Sequence, residues 1–291
     1  MKGEVTKLLA LAEQADNETI PDGMNLPEEI ARREDRLAAI ALARAKIEAR
    51  ATERFEQEQA DYQTRLAKRA AKSQESGKPP RGKAPTPPQA GARDRDQINL
   101  TDEESRIMKV AGGGFEQCYN GQIAVDMDSL LIVKTDTVQA TNDKQQVESM
   151  LKQIKTLPAE LGTPTTLVAD TGYFSEANVK TCEAHPITPL IAVCREGHHP
   201  DPLVRFTEPP PQAEGATAVE SLRHRLKTQD GRALYAKRKC TVEPVIGIIK
   251  SVLGFRQFML RGLENVKGEL SLVALAWNLK RMFNLKGEMP A

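Results

Sequence analysis

Apolar residues in the first quarter of the chain recur at helical spacing. The segment EVTKLLALAEQA carries one apolar stripe, the turn TIPDGMNLP interrupts it, and Pro27 opens a second, much longer helix. Apolar positions of the second helix repeat at seven-residue intervals, but Arg44 breaks the series and charged residues fill most other positions. We therefore expect residues 1–72 to form a helical hairpin with a solvated surface that projects from a packed body.

Residues 73–98 have the composition of a linker. They include five prolines and almost nothing apolar. Such a segment cannot bury enough surface to offset the entropy lost on ordering, so a disordered, basic, Pro-rich linker is predicted. Between Arg65 and Lys83, seven Lys or Arg stand against one Glu. This excess of positive charge is compatible with contacts to nucleic acid, and equally with the solvated end of a helix.

Residues 99–288 show the alternating pattern of a packed α/β body. Two β-rich runs are joined by the turn sequence DMDS, and amphipathic helices alternate with short strands after them. The pattern predicts strands at 122–125, 130–133, 165–168 and 189–194, and helices at 142–157, 175–184, 217–228, 241–254 and 269–283. This order is typical of a mixed sheet flanked by helices.

Composition excludes several classes of protein. The 291 residues are 40% hydrophobic, which is enough to form a core. Their net charge of +1 does not indicate any particular class of binding partner. No long apolar run exists and the N-terminus carries acids through its apolar part, so we expect a cytoplasmic protein with no membrane segment. The cysteines lack CxxC pairing and are expected to be reduced thiols; they are Cys118, Cys182, Cys194 and Cys240.

One carboxylate stands at the end of a predicted strand, in TTLVADTGYFSEANVK. The β-formers of 165–168 lead into Asp170, Gly172 makes a turn, and Ser175 caps the next helix. A strand-end Asp followed by Gly suits a structural turn, an aspartic protease, whose mark is also Asp-Thr-Gly, or a metal ligand at the mouth of an α/β sheet. A protease would need a second such loop or a dimer, and would leave the Glu243 segment described next unexplained.

A second carboxylate, Glu243, begins a helix in a basic environment. Lys250 lies about two turns further on and shares its face. The surrounding cations are Arg232, Lys237, Arg238, Lys239, Arg256 and Arg261. Clustered carboxylates hold Mg²⁺ in phosphodiester chemistry, and Lys or Arg outside them neutralise DNA phosphates. The alternative is a helix-capping Glu beside an ordinary solvated face.

The motifs LVADTGYFSEANV and YAKRKCTVEPVIGIIK together resemble the DDE transposases of bacterial insertion sequences, in the branch with a Tyr-Arg-Glu-Lys signature. The resemblance, over residues 99–285, implies a ribonuclease-H-like fold in which Asp170 and Glu243 are catalytic ligands of Mg²⁺ or Mn²⁺. It also implies DNA contacts near the cut and a homodimer on paired DNA ends. The implied DNA-contacting residues are Tyr235, Arg238 and Lys250, with Lys239 as a substitute because Arg238 lies one residue too far from the glutamate.

The resemblance also implies a first catalytic aspartate that this sequence does not show. In the family it stands on a strand before a helical insertion, whereas no strand is predicted before Tyr119. We therefore expect an N-terminally truncated transposase, with weak DNA binding and little strand transfer because two carboxylates replace three. Asp126 is a poor substitute in its hairpin turn, and Asp136 and Asp143 are poorer still. The alternative function is a non-catalytic remnant that binds DNA or an intact transposase.

Other notable residues have simple structural interpretations. His198 and His199 are expected in a surface loop without a third metal ligand. Trp277, Phe258 and Met259 are expected in the core. The glycines of AGGGF, residues 111–115, follow no predicted strand and suggest a flexible loop.

Overall fold

A computed structural model describes residues 25–77, 82–110, 112–194, 207–212 and 214–288, with isolated positions at 3, 6, 7, 10 and 203. The chain divides into two compact units, residues 1–103 and 104–291. Within the described residues, no helix is both long and apolar enough to cross a membrane. The predicted first helix of the hairpin falls almost wholly outside the described residues, as do His198 and His199.

The first unit is built on one long helix, α1 (Leu26–Ser76), of 51 residues. It begins because Asn25 Oδ1 accepts a hydrogen bond from the Glu28 amide and because Pro27 has the backbone angle of a first helical turn. It ends at Gly77, whose φ of +62° is the left-handed conformation that closes a helix. The predicted long helix is confirmed, and it extends past the expected boundary at residue 72.

The Pro-rich segment lies against α1 in this unit. Its described part, residues 82–99, has no regular secondary structure, as the composition predicted. Charged side chains nevertheless attach it to the helix: Arg54 forms a two-pronged ion pair with Asp96 at 2.7 and 2.9 Å, and Arg93 pairs with Glu58 at 2.6 Å. These ion pairs supply contacts that a count of apolar residues misses, and the flexibility of the linker stays a prediction.

Three two-stranded ladders form the described β-structure of the second unit. The strands are β1 (Arg106–Lys109), β2 (Phe115–Cys118), β3 (Asn120–Val125), β4 (Ile132–Val138), β5 (Thr166–Ala169) and β6 (Thr188–Ile191). β1 pairs antiparallel with β2, β3 antiparallel with β4, and β5 parallel with β6. The mixed α/β class and the β3–β4 hairpin are confirmed. A single continuous sheet is not observed among the described strands, and the ribonuclease-H-like arrangement stays a prediction.

The β1–β2 hairpin corrects two expectations. Strands do precede Tyr119, because β1 and β2 pair in register from Arg106 opposite Cys118 to Lys109 opposite Phe115. The glycines at 112–114 form the connection, and all three have positive φ values that favour glycine. The Gly113 amide donates to the Val110 carbonyl at 3.3 Å and closes this turn. Gly112, Gly113 and Gly114 therefore belong to a turn between two strands.

The described part of this unit contains six α-helices: α2 (Gln146–Ile154), α3 (Glu176–Ala184), α4 (Ala218–Arg225), α5 (Gln229–Ala236), α6 (Val242–Ser251) and α7 (Leu263–Glu288). Their starts follow local sequence signals. Ser175 caps α3 as predicted, and Thr217 forms a reciprocal capping box with Glu220 at α4. α5 packs closely on the end of α4, since a Cβ atom at Gly231 would lie 1.9 Å from the Arg225 carbonyl oxygen.

The largest core joins α6 and α7 to the β3–β4 hairpin. It contains Ile132, Val245, Ile249, Ala274 and Trp277. The Trp277 Nε1 donates to the Leu130 carbonyl at 2.8 Å, and the Asn278 side chain both accepts from and donates to the Ile132 backbone at 2.8 Å.

Two smaller cores surround α3, one against α2 and one against β6 and α4. The predicted core position of Trp277 is confirmed, but Met259 is exposed, because it lies in the irregular loop that precedes α7. Phe258 is half-buried and meets Tyr119 and Phe255 edge to face.

Candidate active site

Asp170 lies at the point where β5 ends. Its Oδ1 accepts a hydrogen bond from the Gly172 amide at 2.8 Å and starts a short 3₁₀ turn over Thr171–Tyr173. The parallel pairing of β5 with β6 places this residue at the carboxyl end of the ladder. The residue is exposed, so its carboxylate is accessible to a ligand from solvent. Asp170 can therefore stabilise the turn and at the same time present an accessible carboxylate at the end of the strand.

A second carboxylate, Asp143, approaches the same turn. A Cβ atom placed on Gly172 would lie 3.0 Å from Asp170 Oδ1 and 3.3 Å from Asp143 Oδ2. Both oxygens therefore border the space that a side chain at position 172 would fill. Any such side chain would press on both carboxylates, which explains why glycine suits this position although its φ is not positive.

A polar network aims Asp143 at this position. Asn120 Nδ2 and Gln122 Nε2 donate to Asp143 Oδ1 at 2.7 and 2.8 Å, and the Tyr173 hydroxyl donates to Gln122 Oε1 at 2.6 Å. Asn120 and Gln122 are two apart on β3 and so share one face, while Ile123 on the other face packs into the core of α6 and α7. The network thus links β3, the loop before α2 and the turn after β5 through side chains.

The pKa of the Tyr173 hydroxyl is shifted by its burial and by the carboxylates of the same cluster. Burial raises the pKa of its hydroxyl well above the usual value, and the negative charges of Asp143 and Asp170 raise it further. The hydroxyl therefore stays protonated and keeps donating to Gln122 at neutral pH. Tyr173 also packs against both cores that surround α3, so its ring is held in place.

Glu243 lies in the first turn of α6 and is paired with a cation. Its Oε1 is 3.0 Å from Arg238 Nη2, and its side chain is 54% exposed. Arg238 also lies over the Tyr235 ring, with 5.8 Å from the guanidinium carbon to the ring centroid. The helix presents Val245 and Ile249 to the core, so Glu243 is left on the outer side. Tyr235, Arg238 and Glu243 therefore form one contiguous group, even though Arg238 lies one residue further from the glutamate than the signature spacing.

The remaining basic residues of this segment are accessible. Lys239 and Lys250 are exposed, and Lys237 lies 3.9 Å from Asp128. Exposed Lys side chains with Arg238 beside them provide positive charge around the start of α6 and along it. This arrangement suits contacts to phosphates, whose affinity derives from such charges.

The described residues only partly fit a divalent metal. Asp170, Asp143 and Glu243 supply the hard oxygen donors that Mg²⁺ prefers. Within the described residues, however, no group of three or more His, Cys, Asp or Glu could together hold a metal ion. Asp170 and Asp143 both lie next to Gly172, whereas Glu243 forms an ion pair with Arg238.

Two further aspartates have structural partners. Asp126 accepts hydrogen bonds from the Ser129 amide and hydroxyl, which hold its pKa below the usual value and confirm its role in the hairpin turn. Asp136 accepts from Gln153 Nε2 at 2.6 Å and from the Thr137 amide at 2.8 Å. Neither takes the place of a third active-site carboxylate.

The sequence did not indicate that Asp143 lies near Asp170, or that Asn120 and Gln122 orient it. A signal was present, because the alternation in YNGQ puts two amide side chains on one face of a strand whose other face is apolar. Amides on one face of a half-buried strand need polar partners, and a carboxylate in a neighbouring loop is the simplest.

Comparison with known families agrees with this arrangement. The family model of the transposase DDE domain matches residues 83–279, about two thirds of the chain. No curated protein and no solved structure matches. The matched range includes Asp143, Asp170, Glu243 and the basic segment, and it leaves the aspartic protease alternative without support. The chain belongs to the transposase DDE domain family.

Proposed function

We propose that this chain acts in DNA transposition as an insertion-sequence transposase of the Tyr-Arg-Glu-Lys branch, cleaving and joining DNA phosphodiesters with Mg²⁺ or Mn²⁺. The observation that carries the proposal is the family match over residues 83–279, which spans both candidate catalytic carboxylates. The strand-end position of Asp170 and the basic surroundings of Glu243 support the same chemistry.

In this proposal Asp170 and Glu243 are the metal ligands. When bound, the divalent cation would polarise the scissile phosphate and favour the deprotonated form of the attacking oxygen. Asp170 offers an exposed carboxylate fixed by the Gly172 amide. Asp143 lies beside it and is oriented by Asn120 and Gln122, so it adds negative potential at the same position. Glu243 pairs with Arg238 through Oε1, so its exposed side chain keeps Oε2 for a cation.

Tyr235, Arg238, Lys239 and Lys250 are proposed to contact DNA near the cut. Arg238 supplies a planar cation that the Tyr235 ring supports from one side. Lys239 and Lys250 are exposed point charges suited to phosphates. We also propose a homodimer on paired DNA ends.

We propose further that the chain by itself has little strand-transfer activity. The described residues bring two carboxylates together and not three. The in-line geometry of phosphoryl transfer depends on a complete ligand set, since small misplacements of reacting groups cost orders of magnitude in rate. The same observation favours the second candidate function, a non-catalytic protein that binds DNA or an intact transposase.

A plasmid assay separates these outcomes. The substrate carries the DNA that flanks the coding sequence, and wild-type chain is compared with Asp170→Asn and with Asp35→Asn, a matched change at an exposed position of α1. We expect retention of DNA in gel shifts and little nicking with Mg²⁺ or Mn²⁺. Robust nicking lost only in Asp170→Asn would refute the impairment and establish the catalytic role. Absence of DNA binding by all three proteins would overturn the transposase function and the DNA-binding form of the second function, leaving only binding to an intact transposase.

A further inference from the structure

Helix α7 carries a second apolar face that no described residue of the second unit covers. Its buried face packs on the β3–β4 hairpin through residues such as Leu270 and Trp277. The opposite face presents five large side chains to solvent: Leu272 is 67% exposed, Leu275 53%, Leu279 57%, Met282 46% and Phe283 81%. Solvent-exposed large apolar residues in a continuous row mark interaction surfaces, whereas scattered ones do not.

The spacing of this row is that of a helix-pairing seam. Leu272, Leu275, Leu279 and Met282 are three, four and three residues apart. Those intervals follow the a and d positions of a heptad, so the four side chains form one narrow stripe along the helix. Met259 and Leu260 continue it, because their amides donate to the carboxylate of Glu269, one turn before Leu272, and both are exposed.

We infer that this stripe is an interface between two copies of this chain, paired through antiparallel α7 helices. The stripe is self-complementary in that direction: Leu275 of each copy faces Leu279 of the other, and Leu272 faces Met282. Such an isologous arrangement is the common form of a two-fold dimer. This inference identifies the surface through which the proposed homodimer would form. Only the role of the dimer in transposition rests on the proposed function.

Charge favours the antiparallel direction. The N-terminal half of α7 is acidic overall, with Glu264 and Glu269 against Lys267, whereas the C-terminal half is basic overall, with Lys280, Arg281 and Lys286 against Glu288. Antiparallel pairing places the acidic end of one copy near the basic end of the other, and the two helix dipoles also oppose each other. Parallel pairing would place like charges side by side.

The size of the surface suits a copy of the same chain. Specific interfaces bury at least about 1,000 Å² in total over both partners. Five large side chains about half exposed or more, repeated on both copies and flanked by Met259 and Leu260, reach that order. α1 is a weaker candidate for this face, because its exposed large apolar side chains are only Ile40 and Leu42 among the described residues.

Sedimentation equilibrium of the full chain without DNA tests the interface independently of cleavage. We expect a concentration-dependent species of twice the 32.1 kDa chain mass. Leu275→Glu and Leu279→Lys should each weaken dimerisation at least about tenfold, because a charge then faces an apolar residue. Leu42→Glu, an equally exposed Leu-to-Glu change on α1, is the matched control and should leave the dimer unchanged.

The double variant Leu275→Glu/Leu279→Lys distinguishes the direction. In antiparallel pairing each new Glu faces a new Lys, so dimerisation should recover relative to either single variant. In parallel pairing like charges face each other and no recovery occurs. A wild-type chain that stays monomeric at about 100 μM would overturn the inference, and so would a dimer that is insensitive to Leu275→Glu. Trp277 fluorescence must show that each variant is folded. Because DNA is absent, failure here leaves the plasmid assay unaffected.

Discussion

Tyr173→Phe removes one hydroxyl group from the network beside Asp170. In the folded protein that hydroxyl donates a 2.6 Å hydrogen bond to Gln122 Oε1, and Gln122 is almost fully buried. The substitution leaves a buried amide oxygen without its donor, and such a group costs about 1–3 kcal/mol of folding free energy. The ring itself is kept, so no cavity contributes to the change. We expect a loss of about 1–2 kcal/mol in the free energy of unfolding at pH 7.

Urea denaturation followed by Trp277 fluorescence measures this loss directly. Trp277 is the single tryptophan of the chain, it is buried, and it belongs to the same unit as Tyr173. Tyr62→Phe is the matched control, since it removes a hydroxyl from α1 in the other unit and should not change the Trp277 transition. A Tyr173→Phe protein within about 0.5 kcal/mol of wild type would show that the hydrogen bond contributes little.

The pH dependence adds a second readout. The folded pKa of Tyr173 is raised above the unfolded value of about 10, so the protonated hydroxyl contributes stability at every pH below about 10. Above that pH the unfolded chain ionises first, and wild type should lose up to about 1.4 kcal/mol per pH unit relative to Tyr173→Phe. The stability difference between the two proteins should therefore shrink between about pH 10 and 11. A difference that stays constant would mean that the hydroxyl is exposed in the folded state.

Three further predictions concern stability and DNA binding. Asn278→Ala should lower the free energy of unfolding by about 2–4 kcal/mol in urea, because it leaves the Ile132 amide and carbonyl both unpaired; a loss below that of Ser271→Ala, which removes a 3.4 Å contact with Thr135 and an exposed 2.9 Å hydrogen bond to the Lys267 carbonyl, would contradict this account. Thr217→Ala should cost about 1 kcal/mol by the same measurement, through loss of the α4 capping box, while Thr217→Ser should restore most of it. Lys250→Gln should reduce the slope of log binding constant against log salt by about 1 in fluorescence anisotropy, and an unchanged slope would remove Lys250 from the DNA contacts.

The sequence predicted those elements that local signals determine. α3 and α4 could be placed because Ser175 and Thr217 are capping residues at the start of amphipathic runs. β1 and β2 were missed because four-residue strands with mixed composition give no periodic signal, and the glycines between them looked like a loop. The ion pairs of the Pro-rich segment could not be predicted, because the partners of Arg54 and Arg93 are distant from them in sequence.

The sequence predicted individual residues of the candidate site, but it did not predict which of them lie close together in the fold. Asp170 could be placed at a strand end from its flanking sequence, and the Tyr235, Arg238 and Glu243 group from spacing and family resemblance. Asp143 could not be placed beside Asp170, since 27 residues separate them and only the fold brings them together. The contacts that orient Asp143 come from β3, a strand whose alternation was visible but whose neighbours were not.

The Asn278 side chain has a consequence for aggregation. The outer edge of a two-stranded hairpin offers free amides and carbonyls to any other extended chain, and such edges seed uncontrolled strand pairing. At Ile132 both backbone groups are already taken by the amide of Asn278, so the helix side chain occupies the place of a neighbouring strand. Replacing Asn278 would therefore expose unpaired backbone groups at the strand edge and also weaken the fold. The variant should form fibrillar or amorphous aggregates at concentrations where the wild-type protein remains in solution.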